Sequence, residues 1–273
     1  MTDRYAVIGN PVAHSKSPQI HAAFAGLTFQ DLTYEAILAP VDGFTAAVRA
    51  FIAAGGRGLN VTVPFKLEAY ALADTRSPRA EAAKAVNTLV FSNAGAHGDN
   101  TDGLGLVVDL TRNLGISPAG KRLLLLGAGG AARGVLLPLL EQQPALLHLA
   151  NRTAEKACAL RDEFAARAGT CQIEAGGFAE LAGRQFDLVI NATAASLADV
   201  APPLPAGVYA PGSFAYDMVY GRETPFLAAA RKQGAARLAD GLGMLVEQAA
   251  ESFFLWRGVR PPTAPVLAKL RGA

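Results

Sequence analysis

Short apolar runs alternate along this chain with longer stretches whose apolar residues return every three or four positions. Alternation between these two patterns predicts strands taking turns with helices, and that order favours an α/β fold with mostly parallel strands. The runs fall into two series. In the first, strands are expected at Tyr5 to Ile8, Tyr34 to Leu38, Gly58 to Val63 and Val86 to Phe91. Helices are expected between them, at Pro18 to Gly26, Asp42 to Ala54 and Phe65 to Ala73. Phe44, Val48, Phe51 and Ile52 share a helical face, which makes Asp42 the expected N-cap and Gly55-Gly56 the stop. The second series has strands at Leu123 to Leu126, Leu146 to Leu149, Leu188 to Ile190 and Ser213 to Met218, with helices between. Leu104 to Leu114 reads as a bridging helix, Gly115 to Gly120 as a turn, and Met244 to Trp256 as a late helix followed by Pro261-Pro262 and a short final one.

Composition narrows the class. The chain has 273 residues, 51% apolar and 18% charged, so it can bury sizeable cores, and its length favours two domains. Lys and Arg number 25 against 23 Asp and Glu, and the net +2 is scattered, which argues against a nucleic-acid partner. Cys158 and Cys171 have neither zinc spacing nor disulfide density, so they read as thiols in a reducing compartment, and no metal is expected. The first residues carry no apolar signal region and no run is long enough for a membrane span. A cytoplasmic, soluble protein that leaves membranes alone is the expectation.

Chemistry enters at the glycines. Gly127-Ala128-Gly129-Gly130-Ala131-Ala132 follows an apolar strand and opens a helix, the context in which a GxGxxG/A run lets backbone amides approach a pyrophosphate. Domains preferring NAD place an acid about 20 residues further on, at the end of the second strand. Here that strand ends in Asn151-Arg152-Thr153, with Lys156 one turn later and no carboxylate. A guanidinium fork, a hydroxyl and an ammonium suit a 2′-phosphate, which favours NADP. Against this stands a solvated Arg152 beside residues that simply cap a helix. Asn60-Val61-Thr62-Val63-Pro64-Phe65-Lys66 sets a lysine just past a strand end, where α/β folds open their crevices. Gly98-Asp99-Asn100-Thr101-Asp102-Gly103 is turn chemistry, and Asp102 gains interest from its place at the seam between the two series.

These strings, joined by Gly9-Asn10-Pro11-Val12-Ala13-His14-Ser15-Lys16-Ser17-Pro18, Ala85-Val86-Asn87-Thr88, Asp217-Met218 and Asp240-Gly241-Leu242-Gly243-Met244, resemble the shikimate dehydrogenase family in order and over nearly the whole chain. The resemblance implies a substrate and catalytic domain from residues 1–103 plus 241–273 and an inserted Rossmann NADP-binding domain at 104–240. It implies reversible, NADPH-dependent reduction of 3-dehydroshikimate to shikimate, in the route to chorismate and the aromatic amino acids. It carries the substrate carboxylate to Ser15 and Ser17, and the ring hydroxyls to Thr62, Lys66, Asn87, Asp102 and Gln248, with Tyr220 nearby. Lys66 and Asp102 become the catalytic pair. NADP contacts fall to Gly127, Ala128, Gly129, Gly130 and Ala131, to Asn151, Arg152, Thr153 and Lys156, and to Met218 and Gly241 near the nicotinamide. Ser17 before Pro18 reads as an N-cap that aids an anionic ligand. A monomer or a homodimer is the expected assembly.

Two places depart from the family pattern: Asn191-Ala192-Thr193-Ala194-Ala195-Ser196, and a short connection at Tyr220 to Thr224. The rival readings are a quinate/shikimate dehydrogenase and a silent dinucleotide sensor; a sensor has no need of Lys66 and Asp102. His14 and His21 read as packing or hydrogen-bonding residues, and Trp256 with Phe253-Phe254 as a buried helix face.

Overall fold

The computed structural model describes residues 2–193, 195 and 199–272, so Ala194 and Ser196 of the divergent loop lie outside the described residues. The chain forms two compact units, Met1–Gly105 with Leu245–Ala273, and Leu106–Met244.

The first unit holds β1 (Asp3–Gly9), α1 (Ser17–Thr28), β2 (Leu32–Leu38), α2 (Phe44–Ala53), β3 (Gly56–Val61), α3 (Lys66–Leu72), β4 (Thr75–Arg76), α4 (Pro78–Ala83), β5 (Thr88–Ser92) and β6 (Gly95–Asp99). Two helices cross its boundary, α5 (Asp102–Val108) and α9 (Leu242–Arg257), and α10 (Ala264–Arg271) closes the chain. Its six-stranded sheet runs β2-β1-β3-β5-β6-β4. The β1 to β2, β1 to β3 and β4 to β6 pairings are parallel, whereas β5 pairs antiparallel with both β3 and β6. The short β6, Gly-Ala-His-Gly-Asp, has the composition of a turn; pairing with β5 makes it a strand. That hairpin returns the chain so that Asn87 and the loop after Asp99 meet. The core includes Ile8, Phe44, Val48, Leu59, Phe65 and Leu89, with the Phe44 and Phe65 rings stacked at 5.0 Å.

Two helix ends differ from the sequence pattern. Helix α2 is capped by Gly43, not by Asp42, which is exposed; no side chain caps it, and a Cβ on Gly43 would press on the Pro40 ring at 3.1 Å. Gly55 alone, at φ +86°, stops the helix, and Gly56 opens β3 because Phe51 packs where its Cβ would be. Helix α1 starts on Lys16 as N-cap, so Ser17 is its first residue and caps nothing; Ser15 Oγ instead accepts from Ser17 N at 3.2 Å.

The second unit is an all-parallel sheet, β12-β11-β10-β7-β8-β9, made of β7 (Arg122–Leu126), β8 (Leu146–Ala150), β9 (Gln172–Gly176), β10 (Phe186–Asn191), β11 (Tyr209–Asp217) and β12 (Arg237–Ala239). Helices α6 (Gly130–Leu140), α7 (Ala154–Phe164) and α8 (Pro225–Lys232) connect them. Read from β9 outward this is the doubly wound order 3-2-1-4-5-6, which reverses direction at β7 and leaves a crevice there. The expected single helix at Leu104 to Leu114 is α5 followed by a π-helical turn, Asp109–Asn113. That turn opens on Asp109, a fully buried acid whose carbonyl takes the Leu114 amide at 3.0 Å and whose carboxylate accepts from the Tyr216 hydroxyl at 2.7 Å and from Asn113 Nδ2 at 3.0 Å. Gly243 gives it room, since a Cβ there would meet its carboxylate.

No described helix is long and apolar enough to cross a membrane.

Candidate active site

In the first unit the start of α3, the residue leading into β5 and the loop after β6 converge. Lys66 Nζ donates to Asp102 Oδ2 at 2.6 Å, with the two side chains 31% and 17% exposed. This pair is accessible enough to meet a ligand, and buried enough for its charges to interact strongly. Asn87 Nδ2 donates to the other Asp102 oxygen at 2.8 Å, and Asn100 Oδ1 caps the Asp102 amide at 3.2 Å. Both oxygens of the carboxylate and its backbone are thereby held. The Val86 amide donates to the Lys66 carbonyl at 3.0 Å, which ties α3 to the strand carrying Asn87.

The loop itself is braced from below. Arg79 donates to both oxygens of Asp99, at 2.7 Å each, and reaches Glu251 on α9 at 2.9 Å. Burial alone would raise the Asp99 pKa, but the Arg79 guanidinium outweighs it and the carboxyl sits below its usual range. Asp99 Oδ1 also takes the Asn100 amide at 2.7 Å, so the ion pair fixes the backbone leading into Asp102.

Helix α9 delivers Gln248, whose Oε1 accepts from Thr101 Oγ1 at 3.3 Å and from Asn87 Nδ2 at 3.4 Å. Ser15 is half-buried in the turn before α1 and Ser17 is buried beside the Tyr34 hydroxyl. Thr62 lies against Gly9, where a Cβ would strike its methyl group, and its amide donates to Ile8 O at 3.0 Å. The sequence reading missed Asn60, Thr88, Thr101, Arg79 and Ser252, which lie under these residues. A signal existed for Ser252: it stands four residues after Gln248 on one helix face. His21 packs and hydrogen-bonds, stacked on Tyr34 at 4.2 Å with its Nε2 3.1 Å from Asn60 Oδ1; Phe253 is buried, while Phe254 is half-exposed under Arg260.

In the second unit a groove of about 570 Å³ opens at the switch point. Ala128 and Gly129 line it from the β7 turn, Asn151, Arg152, Thr153 and Lys156 from the β8 end, and Thr193 from the β10 end. Gly127 sits at φ +109°, with Ala192 O only 3.1 Å from where its Cβ would be, so this tight turn requires glycine. Gly129 and Gly130 face open space at the N-terminus of α6, a cradle of bare backbone. Among the described residues Arg152 and Lys156 pair with no carboxylate, which leaves two cations for an anion. Phe178, Val200 and Pro202, absent from the sequence reading, add an apolar wall. Met218 and Gly241 do not line this groove; they touch each other, with the Gly241 amide on Val219 O at 3.1 Å and no room for a Cβ against Met218 O. Tyr220 follows on the same loop, half-buried, its hydroxyl pKa raised by burial.

A glycine turn with unpaired cations at the switch point of a parallel sheet is the geometry of dinucleotide-dependent oxidoreductases, and the donors present fit a dinucleotide that carries an extra phosphate. Sequence comparison gives the same class. Residues 7–89 match the shikimate dehydrogenase substrate binding domain, 110–201 the shikimate / quinate 5-dehydrogenase model, and 241–271 the shikimate 5'-dehydrogenase C-terminal domain. The chain is 65% identical over 272 residues to shikimate dehydrogenase (NADP(+)) from Dechloromonas aromatica (strain RCB), covering 99% of this chain and 98% of that one. It resembles the crystal structure of an Ael1 enzyme from Pseudomonas putida at TM-score 0.92 and 51% identity, covering 98% of each chain. It also resembles shikimate 5-dehydrogenase from Thermus thermophilus in complex with NADP(H) and shikimate, at TM-score 0.86 and 33% identity, covering 99% of each. The chain belongs to the shikimate dehydrogenase family, NADP-dependent oxidoreductases acting on a CH–OH group.

Proposed function

We propose that this chain reduces 3-dehydroshikimate to shikimate, reversibly, in the biosynthesis of chorismate and the aromatic amino acids, in the cytoplasm. The observation that carries the reading is the Lys66 ammonium, 2.6 Å from an Asp102 carboxylate whose second oxygen is held by Asn87, in the unit matched by a substrate-binding model. When bound, NADPH supplies a hydride to the C3 carbonyl carbon. The carbonyl oxygen then needs a proton, and Lys66 Nζ gives it; in the reverse direction neutral Lys66 takes the proton of the hydroxyl. Asp102 keeps the ammonium aligned and accepts from a ring hydroxyl, while Thr62, Asn87 and Gln248 read the remaining hydroxyls. Ser15 and Ser17 hydroxyls hold the carboxylate, and Tyr220 contacts the substrate.

The cofactor is held by the Gly127 to Ala131 turn at its pyrophosphate, by Asn151, Arg152, Thr153 and Lys156 at its 2′-phosphate, and by Met218 and Gly241 at the nicotinamide. Residues 1–103 with 241–273 serve the substrate and 104–240 the cofactor. A spectrophotometric assay with shikimate or quinate, each with NADP or NAD, tests the whole reading. The expected result is turnover with shikimate and NADP far above the other combinations; a preference for quinate, or no turnover, overturns it.

A further inference from the structure

Beneath the Lys66 to Asp102 pair lies a buried run of polar groups of which the mechanism uses only the last, Asn87. Asn87 presents its Nδ2 to Asp102, and that orientation matters, because the flipped amide would aim an oxygen at a carboxylate. Its Oδ1 accepts from the Thr101 amide and from Thr88 Oγ1, both at 2.9 Å. Thr88 has one proton, and spending it on Asn87 leaves its oxygen as acceptor for the neighbour at 2.8 Å, Ser252 Oγ. Ser252 in turn accepts from Asn60 Nδ2 at 2.9 Å. The polarity of Asn60 is fixed at its other end, where Oδ1 accepts from the Tyr34 hydroxyl at 2.8 Å and faces His21 Nε2 at 3.1 Å. The single Ser252 proton has two acceptors, Thr88 Oγ1 at 2.8 Å and the Gln248 carbonyl one turn back at 3.1 Å; along the shorter contact the run reads Asn60 N–H to Ser252, Ser252 O–H to Thr88, Thr88 O–H to Asn87, Asn87 N–H to Asp102. Ser252 also stands 3.4 Å from Thr101, the residue that contacts Gln248. Asn60, Ser252, Thr88 and Asn87 are all buried, so no water substitutes for a missing partner.

We propose that Ser252 is a positioning residue for the substrate site. It lies 164 residues from Thr88 and 192 from Asn60, and it is the link through which α9 reaches the Oδ1 side of the Asn87 amide, as Gln248 reaches its Nδ2. The inference rests on the reading of Asn87 as a ring-hydroxyl contact, and it deepens that reading by naming what fixes the amide.

The test compares Ser252→Ala, Ser252→Cys, Asn87→Ala and the double variant Ser252→Ala with Asn87→Ala, by KM for shikimate, KM for NADP and kcat. Loss of one buried hydrogen bond in the run is expected to raise the shikimate KM of Ser252→Ala about 3- to 10-fold. Ser252→Cys, which keeps the shape and a weak donor, falls between it and the parent and carries the test if the alanine variant does not fold. The NADP KM stays unchanged, and in the Asn87→Ala background the serine change adds nothing further. A shikimate KM unmoved by either serine variant overturns the proposal, as does an effect that persists in full without Asn87. Asn87→Ala with a parental shikimate KM overturns the site reading itself, and the inference with it.

Discussion

In the proposed reaction Lys66 gives the proton, so Lys66→Ala is expected to lower kcat about 100- to 10,000-fold with a small change in the shikimate KM. Stopped-flow and steady-state kinetics check this, and near-parental turnover would remove Lys66 from the chemistry. Arg152, which lines the second unit's groove, is proposed to read the cofactor's extra phosphate. With the guanidinium gone, the KM for NADP should rise about 10-fold while that for NAD hardly moves, the exposed position and the nearby Lys156 keeping the effect at the low end. Measuring both cofactors at saturating shikimate separates this from a general loss, which would affect them equally. Lys66 and Asp102 are legible in the sequence from their places after a strand end and at the seam between the two series, whereas Asn87 by itself reads as a turn residue and rises only through the family resemblance. Ser252 and Asn60 are not legible, because their partners are set by tertiary contacts and a serine on a helix looks the same solvated or buried.

At the scale of an element, the β7 to α6 turn separates two uses of glycine. Gly127 has a left-handed φ of +109° and a carbonyl at 3.1 Å from a would-be Cβ, so Gly127→Ala should cost about 1–3 kcal/mol of stability as well as cofactor binding. Gly129 has neither strain nor a neighbour within 4 Å. Gly129→Ala should therefore leave the melting temperature within a degree or two of the parent and weaken NADP alone, by placing a methyl where the pyrophosphate approaches. Differential scanning fluorimetry with an NADP titration distinguishes the pair; equal effects on both properties would contradict the assignment. This turn was readable because an apolar strand and a helical run bracket it. Strand β6 was not, since its five residues hold two glycines and it is pairing with β5 and β4 that makes them extended. Asp42 failed as a cap for a related reason: Gly43 occupies the position, pressed against Pro40.

For the whole molecule, acid stability depends on two buried imidazoles. Burial lowers the His21 pKa from 6.5 to about 3, and burial likewise lowers that of His148. Both are neutral when folded, whereas the unfolded chain takes up protons below pH 6.5, so stability is full above that pH and falls as the pH drops toward the folded values. Each such group contributes a slope of about 1.4 kcal/mol per pH unit within its window. Urea unfolding between about pH 7 and 4.5 should show this decline, and a smaller slope for His21→Gln. A His21→Gln variant with the parental slope would show that His21 titrates freely.

The order of the chain adds one consequence. Synthesis from the N-terminus delivers Tyr34, Asn60, Thr88 and Asn87 early, but their partner on α9 emerges only after the entire 106–244 unit. The inserted unit is contiguous and can fold on the ribosome as it appears. The interrupted one must wait, its polar groups in water, for the last 29 residues, Leu245–Ala273. A truncation that removes them leaves Asn60 and Thr88 without Ser252, and Leu89 O without the Trp256 N–H that reaches it at 3.0 Å. Nascent chains stalled before α9 should accordingly resist protease across 106–244 and be cut within 1–105, so that the substrate site is the last part of the enzyme to be born.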